Sequence, residues 1–221
     1  MPAAEAARVE RAIVHGLDSA LKRAIDILLA LGLLILLAPL CAVVAVAIRL
    51  DSPGPAIFRQ RRVGRNGEAF TMLKFRSMLA GATDESHRGF IAALAAGELD
   101  AAGGDLWKLT GDRRVTRVGG LIRKASIDEV PQLLNVLAGQ MSFVGPRPAL
   151  EYELDHYSPE DFDRFTVRPG ITGLWQVSGR NRLGFKEMLE LDLEYVARRS
   201  LAYDLALMAR TPLAVLRADA A

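Results

Sequence analysis

Two adjacent carboxylates are the residues in this sequence best suited to chemistry. Asp128 and Glu129 follow Ser126 in segment 126–131, and the Ser-x-x-Glu spacing is typical of a capping box at the start of a helix. In that interpretation Glu129 caps the helix and Asp128 is an ordinary first-turn acid. However, a helix N-terminus also attracts phosphate, and an ionised aspartate beside a polarised phosphorus atom can act as a nucleophile. The motif taken alone favours the cap, and the nucleophile remains the alternative.

Cations that could hold a phosphate group surround this acid pair in the sequence. Arg123 and Lys124 lie just upstream and could neutralise a bound diphosphate. Adjacent Asp and Glu carboxylates can also share Mg²⁺, which prefers oxygen ligands. Three further arginines lie among glycines and prolines, where a rigid turn suits bidentate phosphate recognition; these are Arg147, Arg168 and Arg180. The alternative is that they pair with the acidic segment 151–163, but together with the acid pair they indicate a polyanionic substrate.

A strongly basic stretch precedes these motifs. Residues 59–76 carry six Lys and Arg against one acid, Glu68. Beside an apolar segment, such a stretch is typical of contact with anionic lipid. The alternative is a phosphate site that faces the membrane. The two interpretations are compatible if the substrate is itself a lipid phosphate.

An apolar segment supplies the membrane contact. Residues 27–48 carry no charge, and a helix of that length is about 33 Å long, close to the hydrocarbon thickness of a bilayer. A cleavable signal peptide is the main alternative, but the polar lead and the apolar run are both too long for one. Lipidation at Cys41 is disfavoured because Leu40, which precedes it, is not small. The sequence therefore predicts a retained membrane helix.

The flanks of that helix leave its path open. Lys22 and Arg23 precede the apolar run and Arg49 follows it, so both ends qualify for the cytoplasmic side under the positive-inside rule. Pro39 lies inside the run, where it removes one backbone hydrogen bond and favours a kink. A straight span and a re-entrant helix that leaves by the face it entered are about equally supported.

The remainder of the chain predicts an α+β unit. Asn66-Gly67 between two apolar-bearing runs indicates a β-hairpin. The acids of segment 151–163 suggest a solvated helical face, and Pro212 should end or kink the last helix. The predicted elements are strands at 57–63 and 69–75, a helix near 86–96, a glycine-containing loop at 103–104, a basic segment 113–125 leading into a helix to about 138, and helices at 185–199 and 201–210.

Composition excludes several classes of protein. The 221 residues include a single cysteine and three histidines far apart in sequence, which excludes an intramolecular disulfide and a Cys/His zinc pattern. The net charge of +2 argues against a generally cationic nucleic-acid binder, so we expect no nucleic-acid partner. The sequence contains no Rossmann glycine motif, Walker loop or Gly-x-Ser-x-Gly elbow.

Several motifs together resemble a known family. They occur in the family's order and cover roughly residues 20–211; the matching stretches are 22–26, 74–78, 116–119, 122–136, 141–148 and 168–181. The chain resembles the bacterial sugar transferases, the monotopic phosphoglycosyl transferases that act on polyprenyl phosphate. Two departures are Ala38 before Pro39, where many members have serine, and a segment 79–104 that is longer than in the smallest members.

The resemblance implies a reaction and a set of site residues. Members move a sugar-1-phosphate from a UDP-sugar to polyprenyl (undecaprenyl) phosphate and release UMP, as the initiating step of exopolysaccharide, capsule, O-antigen or glycan assembly. Asp128 matches the nucleophile, which forms a phosphosugar–aspartate intermediate, Glu129 completes the pair, and Mg²⁺ would bind at Asp128. The implied phosphate ligands are Lys74, Arg76, Arg123, Arg147, Arg168 and Arg180. The segment Gly179-Arg180-Asn181 leans weakly towards glucose or galactose.

The resemblance also implies a location. After a lead of residues 1–21, segment 22–50 would form a re-entrant membrane helix broken at Pro39. Residues 51–221 would form a mostly helical catalytic domain with a β-hairpin on the cytoplasmic face of the bacterial inner membrane. We expect UDP-sugar, polyprenyl phosphate and membrane lipid as partners, with a homodimer compatible with the helical C-terminal surfaces. The alternative is a non-catalytic, membrane-tethered polyanion-binding or scaffold protein of a polysaccharide assembly complex.

Overall fold

A computed structural model of the chain describes residues 3–79, 81, 85–98, 114–179 and 182–218. The predicted loop at 103–104 and the candidate ligand Arg180 lie outside the described residues. Helices and two small two-stranded sheets make up the described part, which confirms the mixed α and β class.

The N-terminal apolar segment is helical, as predicted, within a longer helix. Helix α1 spans Ala3–Asp51 and contains Pro39. By length and composition, its part from residue 19 onward is apolar enough to cross a membrane. The predicted break at Pro39 is not confirmed, because the helix continues on both sides of the proline. A proline removes only one helical hydrogen bond, and packing against the domain holds the flanking turns.

One face of α1 packs along the folded domain. Residues spaced three or four apart point to the domain, as expected for one side of a helix, and Asp26, Ala30, Val44 and Ile48 are buried. The opposite face carries large apolar side chains that are exposed, including Leu28, Ile35, Leu36, Val43 and Leu50. The helix thus has one face on the protein and one apolar face turned away from it.

The predicted β-hairpin is confirmed. Strands β1 (Ile57–Val63) and β2 (Ala69–Phe75) are antiparallel, with Ile57 opposite Phe75 and Val63 opposite Ala69. Asn66 and Gly67 both take positive φ angles in the tight turn between the strands, as the Asn-Gly signal predicts. Met72 and Phe75 point inward from β2 and join the apolar clusters beneath α1.

The central helices agree with the prediction at one position and differ from it at another. Helix α2 (Glu85–Ala95) agrees closely with the expected helix. The basic segment does not continue into one helix, because α3 (Arg117–Lys124) and α4 (Gln132–Leu137) are separated by a 3₁₀ turn at Ile127–Glu129. A left-handed backbone at Ser126 ends the first helix and starts that turn.

The C-terminal half forms the other wall of the domain. Strands β3 (Ser142–Val144) and β4 (Gly170–Thr172) pair in parallel. The acidic segment between them forms 3₁₀ turns at Glu151–His156 and Pro159–Thr166, so the predicted solvated helical face is wrong in part; Glu153 and Arg164 are buried. Three helices follow, α5 (Leu174–Ser178), α6 (Phe185–Arg198) and α7 (Leu201–Ala218). Helix α7 continues past Pro212 rather than ending there.

Candidate active site

The acid pair lies on the 3₁₀ turn between α3 and α4. Ser126 has φ 53° and ψ 20°, and its side chain makes no capping hydrogen bond. The capping-box interpretation is therefore wrong, because α4 begins only at Gln132. A left-handed conformation is uncommon for residues other than glycine, and such strained residues cluster at functional sites. The turn places both Asp128 and Glu129 in the lining of one cavity.

Lys74 links the hairpin to the acid pair. Its Nζ lies 3.1 Å from Oε1 of Glu129, and both side chains are partly buried. Burial raises the pKa of Asp128 to about 6; the charge of Glu129 adds to this rise, while the cations Lys74 and Arg123 oppose it. Asp128 is thus a carboxyl group with reduced solvation that two nearby cations keep available in its ionised form.

A cavity of about 400 Å³ opens at the acid pair. Lys74, Arg123 and Arg147 line it together with both acids, while Leu33 and Leu37 of α1 form an apolar wall. We call it the acid-pair cavity. It joins a cluster of charges to the apolar helix, which is a suitable environment for a ligand with an anionic head and an apolar tail.

Arg147 is held in place by a buried carboxylate. Its NH1 donates to both oxygens of Glu153, at 3.0 and 3.2 Å, and Glu153 also accepts from the backbone N–H of Leu150 at 3.1 Å. Burial alone would raise the pKa of Glu153, but the charges of Arg147 and Arg62 hold it below its usual value. Glu153 is therefore a fixed anion that orients the Arg147 fork at the cavity.

Two glycines fix the backbone around Arg147. A Cβ atom on Gly170 would lie 2.2 Å from the backbone nitrogen of Gly145, and one on Gly145 would lie 2.3 Å from the carbonyl oxygen of Arg168. These distances are too short for any side chain, so the two segments can pack this closely only as glycines. The Gly-Pro-Arg-Pro and Arg-Pro-Gly segments, read from the sequence as turns, are in fact packed against each other.

Two predicted ligands lie elsewhere. Arg76 is buried and donates to the carbonyl oxygens of Ser52 (2.7 Å) and Ile48 (3.3 Å), as well as to that of Pro53. Arg168 donates from Nε to the carbonyl of Gly139 at 2.8 Å and lines a second cavity. The structure brings Lys74, Arg123 and Arg147 to the acid pair and places Arg76 and Arg168 away from it.

Sequence reasoning did not single out several residues of the acid-pair cavity. Trp175, Gln176 and Thr211 line it. The buried Oε1 of Gln176 accepts no hydrogen bond from the part of the chain that the structure describes. The only sequence signal for Trp175 and Gln176 was their place in the motif 168–181.

The acid pair also suits a magnesium ion that binds together with a phosphate-containing substrate. The described residues contain no group of three or more Asp, Glu, His or Cys side chains that could hold a metal. Mg²⁺ commonly binds through one or two carboxylates and completes its coordination with water and substrate phosphates. Asp128, in the lining of the acid-pair cavity, fits that donor set.

Comparison with known families identifies the protein family to which this chain belongs. The family model for bacterial sugar transferases matches residues 17–218. The chain therefore belongs to the bacterial sugar transferase family, as its motifs predicted.

Individual relatives agree with this assignment. The UDP-glucose:undecaprenyl-phosphate glucose-1-phosphate transferase of Caulobacter vibrioides is 43% identical over 209 residues, which cover 90% of this chain and 70% of the relative. The exopolysaccharide production protein ExoY of Sinorhizobium fredii is 40% identical, covering 86% of this chain and 83% of the relative. The UDP-galactose-lipid carrier transferase of Erwinia amylovora is 41% identical over 91% of this chain. The chain spans only about two fifths of the length of that last protein.

Proposed function

We propose that this protein transfers a sugar-1-phosphate from a UDP-sugar to undecaprenyl phosphate, releases UMP, and passes through a covalent phosphosugar–Asp128 intermediate. The observation that carries the proposal is the acid-pair cavity. A single cavity is lined by two carboxylates, four cations and two leucines of the apolar helix. That combination suits a reaction between a diphosphate and a lipid phosphate, and the name of the Caulobacter vibrioides relative gives UDP-glucose and undecaprenyl phosphate as its two substrates.

Asp128 is the proposed nucleophile. A carboxylate oxygen of Asp128 attacks the phosphorus that carries the sugar, the bond from that phosphorus to the bridging oxygen breaks, and UMP leaves with the bridging oxygen. A phosphate oxygen of the lipid then attacks the same phosphorus, and the bond to Asp128 breaks to restore the carboxylate. Splitting the transfer into two displacements is the general advantage of covalent catalysis.

The other charged residues stabilise this chemistry electrostatically. Lys74 and Arg123 lie where negative charge develops, and Arg147 is positioned as a phosphate contact. Glu129 holds Lys74 through their 3.1 Å contact. Mg²⁺ bound by Asp128 and the diphosphate would supply further charge neutralisation. Gln176 is a candidate acceptor for a sugar hydroxyl, since a buried polar group left unpaired discriminates strongly between substrates.

The path of α1 bears on the location of the reaction. Just before its apolar run, Arg23 donates to the carbonyl oxygens of Val136 (2.7 Å) and Leu137 (3.0 Å). At its end, Asp51 accepts from the backbone N–H of Val118 at 2.9 Å. Both flanks of the apolar run thus contact the same domain, which supports a re-entrant or surface-embedded helix over a straight span. In this proposal the domain lies on the cytoplasmic face of the inner membrane. The homodimer stays a prediction.

The test is a substitution that separates charge from shape. Asp128→Asn should reduce turnover to background while the protein stays folded, because a neutral amide cannot form the acyl phosphate. Asp155→Asn is a matched control, since Asp155 is exposed outside the cavity and should keep normal turnover. An Asp128→Asn enzyme with wild-type turnover would refute the assignment.

A second measurement tests the covalent step. Wild-type enzyme given UDP-sugar and Mg²⁺ without lipid phosphate should release about one equivalent of UMP and then stop, as expected for ping-pong chemistry. The phosphosugar adduct should map to Asp128 by mass spectrometry. UMP release that requires the lipid would contradict the intermediate and leave a direct transfer.

A further inference from the structure

A second cavity, of about 340 Å³, lies where residues 19–26 of α1 meet the C-terminal helices. Its other walls come from the hairpin turn, the segment before β4 and the junction of α6 with α7. It shares no lining residue with the acid-pair cavity. We call it the arginine cavity.

The charges of the arginine cavity are unbalanced. Five cationic side chains line it against two carboxylates, Asp26 and Asp204. Asp204 is taken up by Lys22, whose Nζ lies 2.6 Å from Oδ2, and by the hydroxyl of Tyr195 at 2.8 Å. Asp26 accepts from the backbone N–H of Phe143 at 3.1 Å. Four arginines therefore face the cavity with a single carboxylate left to offset them; these are Arg23, Arg65, Arg168 and Arg199.

Backbone contacts hold two of these arginines close together without cancelling their charges. Arg23 donates to carbonyl oxygens at the end of α4, and Arg168 donates from Nε alone to Gly139. Burial lowers the pKa of Arg168, and the charges of Arg23 and Arg65 lower it further. A group of like charges that repel one another is stabilised by an anion bound among them.

We propose that the arginine cavity binds a phosphate group, as a monoester or diester, separately from the reaction at the acid pair. Guanidinium groups recognise phosphate with paired, charge-assisted hydrogen bonds. The phosphate can come from a soluble molecule or from the headgroup of an anionic lipid. The lipid source is favoured by position, because Leu21 and Ile27, next to the lining residues Lys22 and Asp26, are exposed apolar side chains.

The test uses two arginines at the cavity mouth. Arg65 and Arg199 are both exposed, so Arg65→Ala/Arg199→Ala should remove charge without disturbing the packed interior. Arg59→Ala/Arg210→Ala is the matched control, since both arginines are exposed and neither lines a described cavity. Arg123→Ala reports binding at the acid pair instead.

The assay is native mass spectrometry of the full chain in detergent, titrated with phosphatidylglycerol. In a separate arm, inorganic phosphate or glycerol phosphate is added to compete with the bound lipid. The first bound lipid should have about thirtyfold weaker affinity in Arg65→Ala/Arg199→Ala and unchanged affinity in the control and in Arg123→Ala. Competition by soluble phosphate at concentrations similar to those of the lipid would assign the site to a soluble ligand, and its failure would assign it to lipid. Wild-type affinity in Arg65→Ala/Arg199→Ala, or an equal loss in the control, would overturn the proposal.

Discussion

Arg76 provides a test of whether a buried arginine in one of the family motifs stabilises the fold or binds the substrate. Its guanidinium donates to backbone carbonyls of Ile48, Ser52 and Pro53, where α1 ends and the chain turns into β1. The side chain is only 4% exposed. Arg76→Met keeps an extended side chain but removes every donor, so this variant asks what those donors do.

The expected loss of stability follows from the backbone carbonyl groups that lose the Arg76 guanidinium as their hydrogen-bond donor. The carbonyl of Ile48 retains the backbone N–H of Ser52 at 3.2 Å, whereas those of Ser52 and Pro53 lose the guanidinium. A buried acceptor left unsatisfied costs about 1–3 kcal/mol, so we expect the free energy of unfolding to fall by about 2–4 kcal/mol. For a chain of this size, that corresponds to a melting temperature lower by about 5–15 °C.

Thermal unfolding of the detergent-solubilised protein measures that loss of stability. Turnover, at a temperature where the wild type and the variant are both folded, measures whether Arg76 also contributes to substrate binding. We expect the KM for UDP-sugar to stay close to wild type. Arg59→Met, on the exposed side of the same hairpin, should leave both quantities unchanged. A variant that melts normally but has a raised KM would refute this reasoning and return Arg76 to the phosphate ligands.

Two further predictions concern the cavity and the membrane helix. Glu153→Gln should raise the KM for UDP-sugar and have only a small effect on the melting temperature. The amide keeps a hydrogen-bond acceptor but loses the charge that orients Arg147. A KM equal to that of the wild type would show that Arg147 needs no buried partner. In a Cys41→Ser background, single cysteines at the exposed positions Ala20 and Pro55 should behave alike towards a membrane-impermeant thiol reagent in intact cells. Labelling of one position and not the other would show that α1 spans the membrane.

Local signals predicted the parts of the fold that depend on short stretches of chain. Asn66-Gly67 specifies the hairpin because both residues tolerate the positive φ angles of its turn. The uncharged run specifies the apolar helix by length alone. The acid pair was found because Asp and Glu are adjacent beside two cations, a pattern visible without tertiary contacts.

The rest depends on contacts between distant segments. Nothing near Arg76 in the sequence distinguishes it from Lys74, yet Arg76 binds the end of α1 while Lys74 reaches Glu129. Likewise, Gly145 and Gly170 look like turn residues, but they are required where two segments touch backbone to backbone. The capping box failed because the left-handed backbone at Ser126 ends one helix before the acids and lets the next begin only after them.

The position of α1 connects the fold to the proposed chemistry. A helix that only anchored the protein would have no reason to pack along the domain from Asp26 to Ile48, since a single span needs no such contact. Here the packed face supplies Leu33 and Leu37 to the same cavity as Asp128, while the opposite face remains apolar and exposed. The helix therefore forms part of the site. In the proposed reaction, an acceptor held in the membrane by its apolar tail brings its phosphate to the acid pair without leaving the bilayer, which confines the encounter to the membrane surface and fixes the direction of the proposed second displacement.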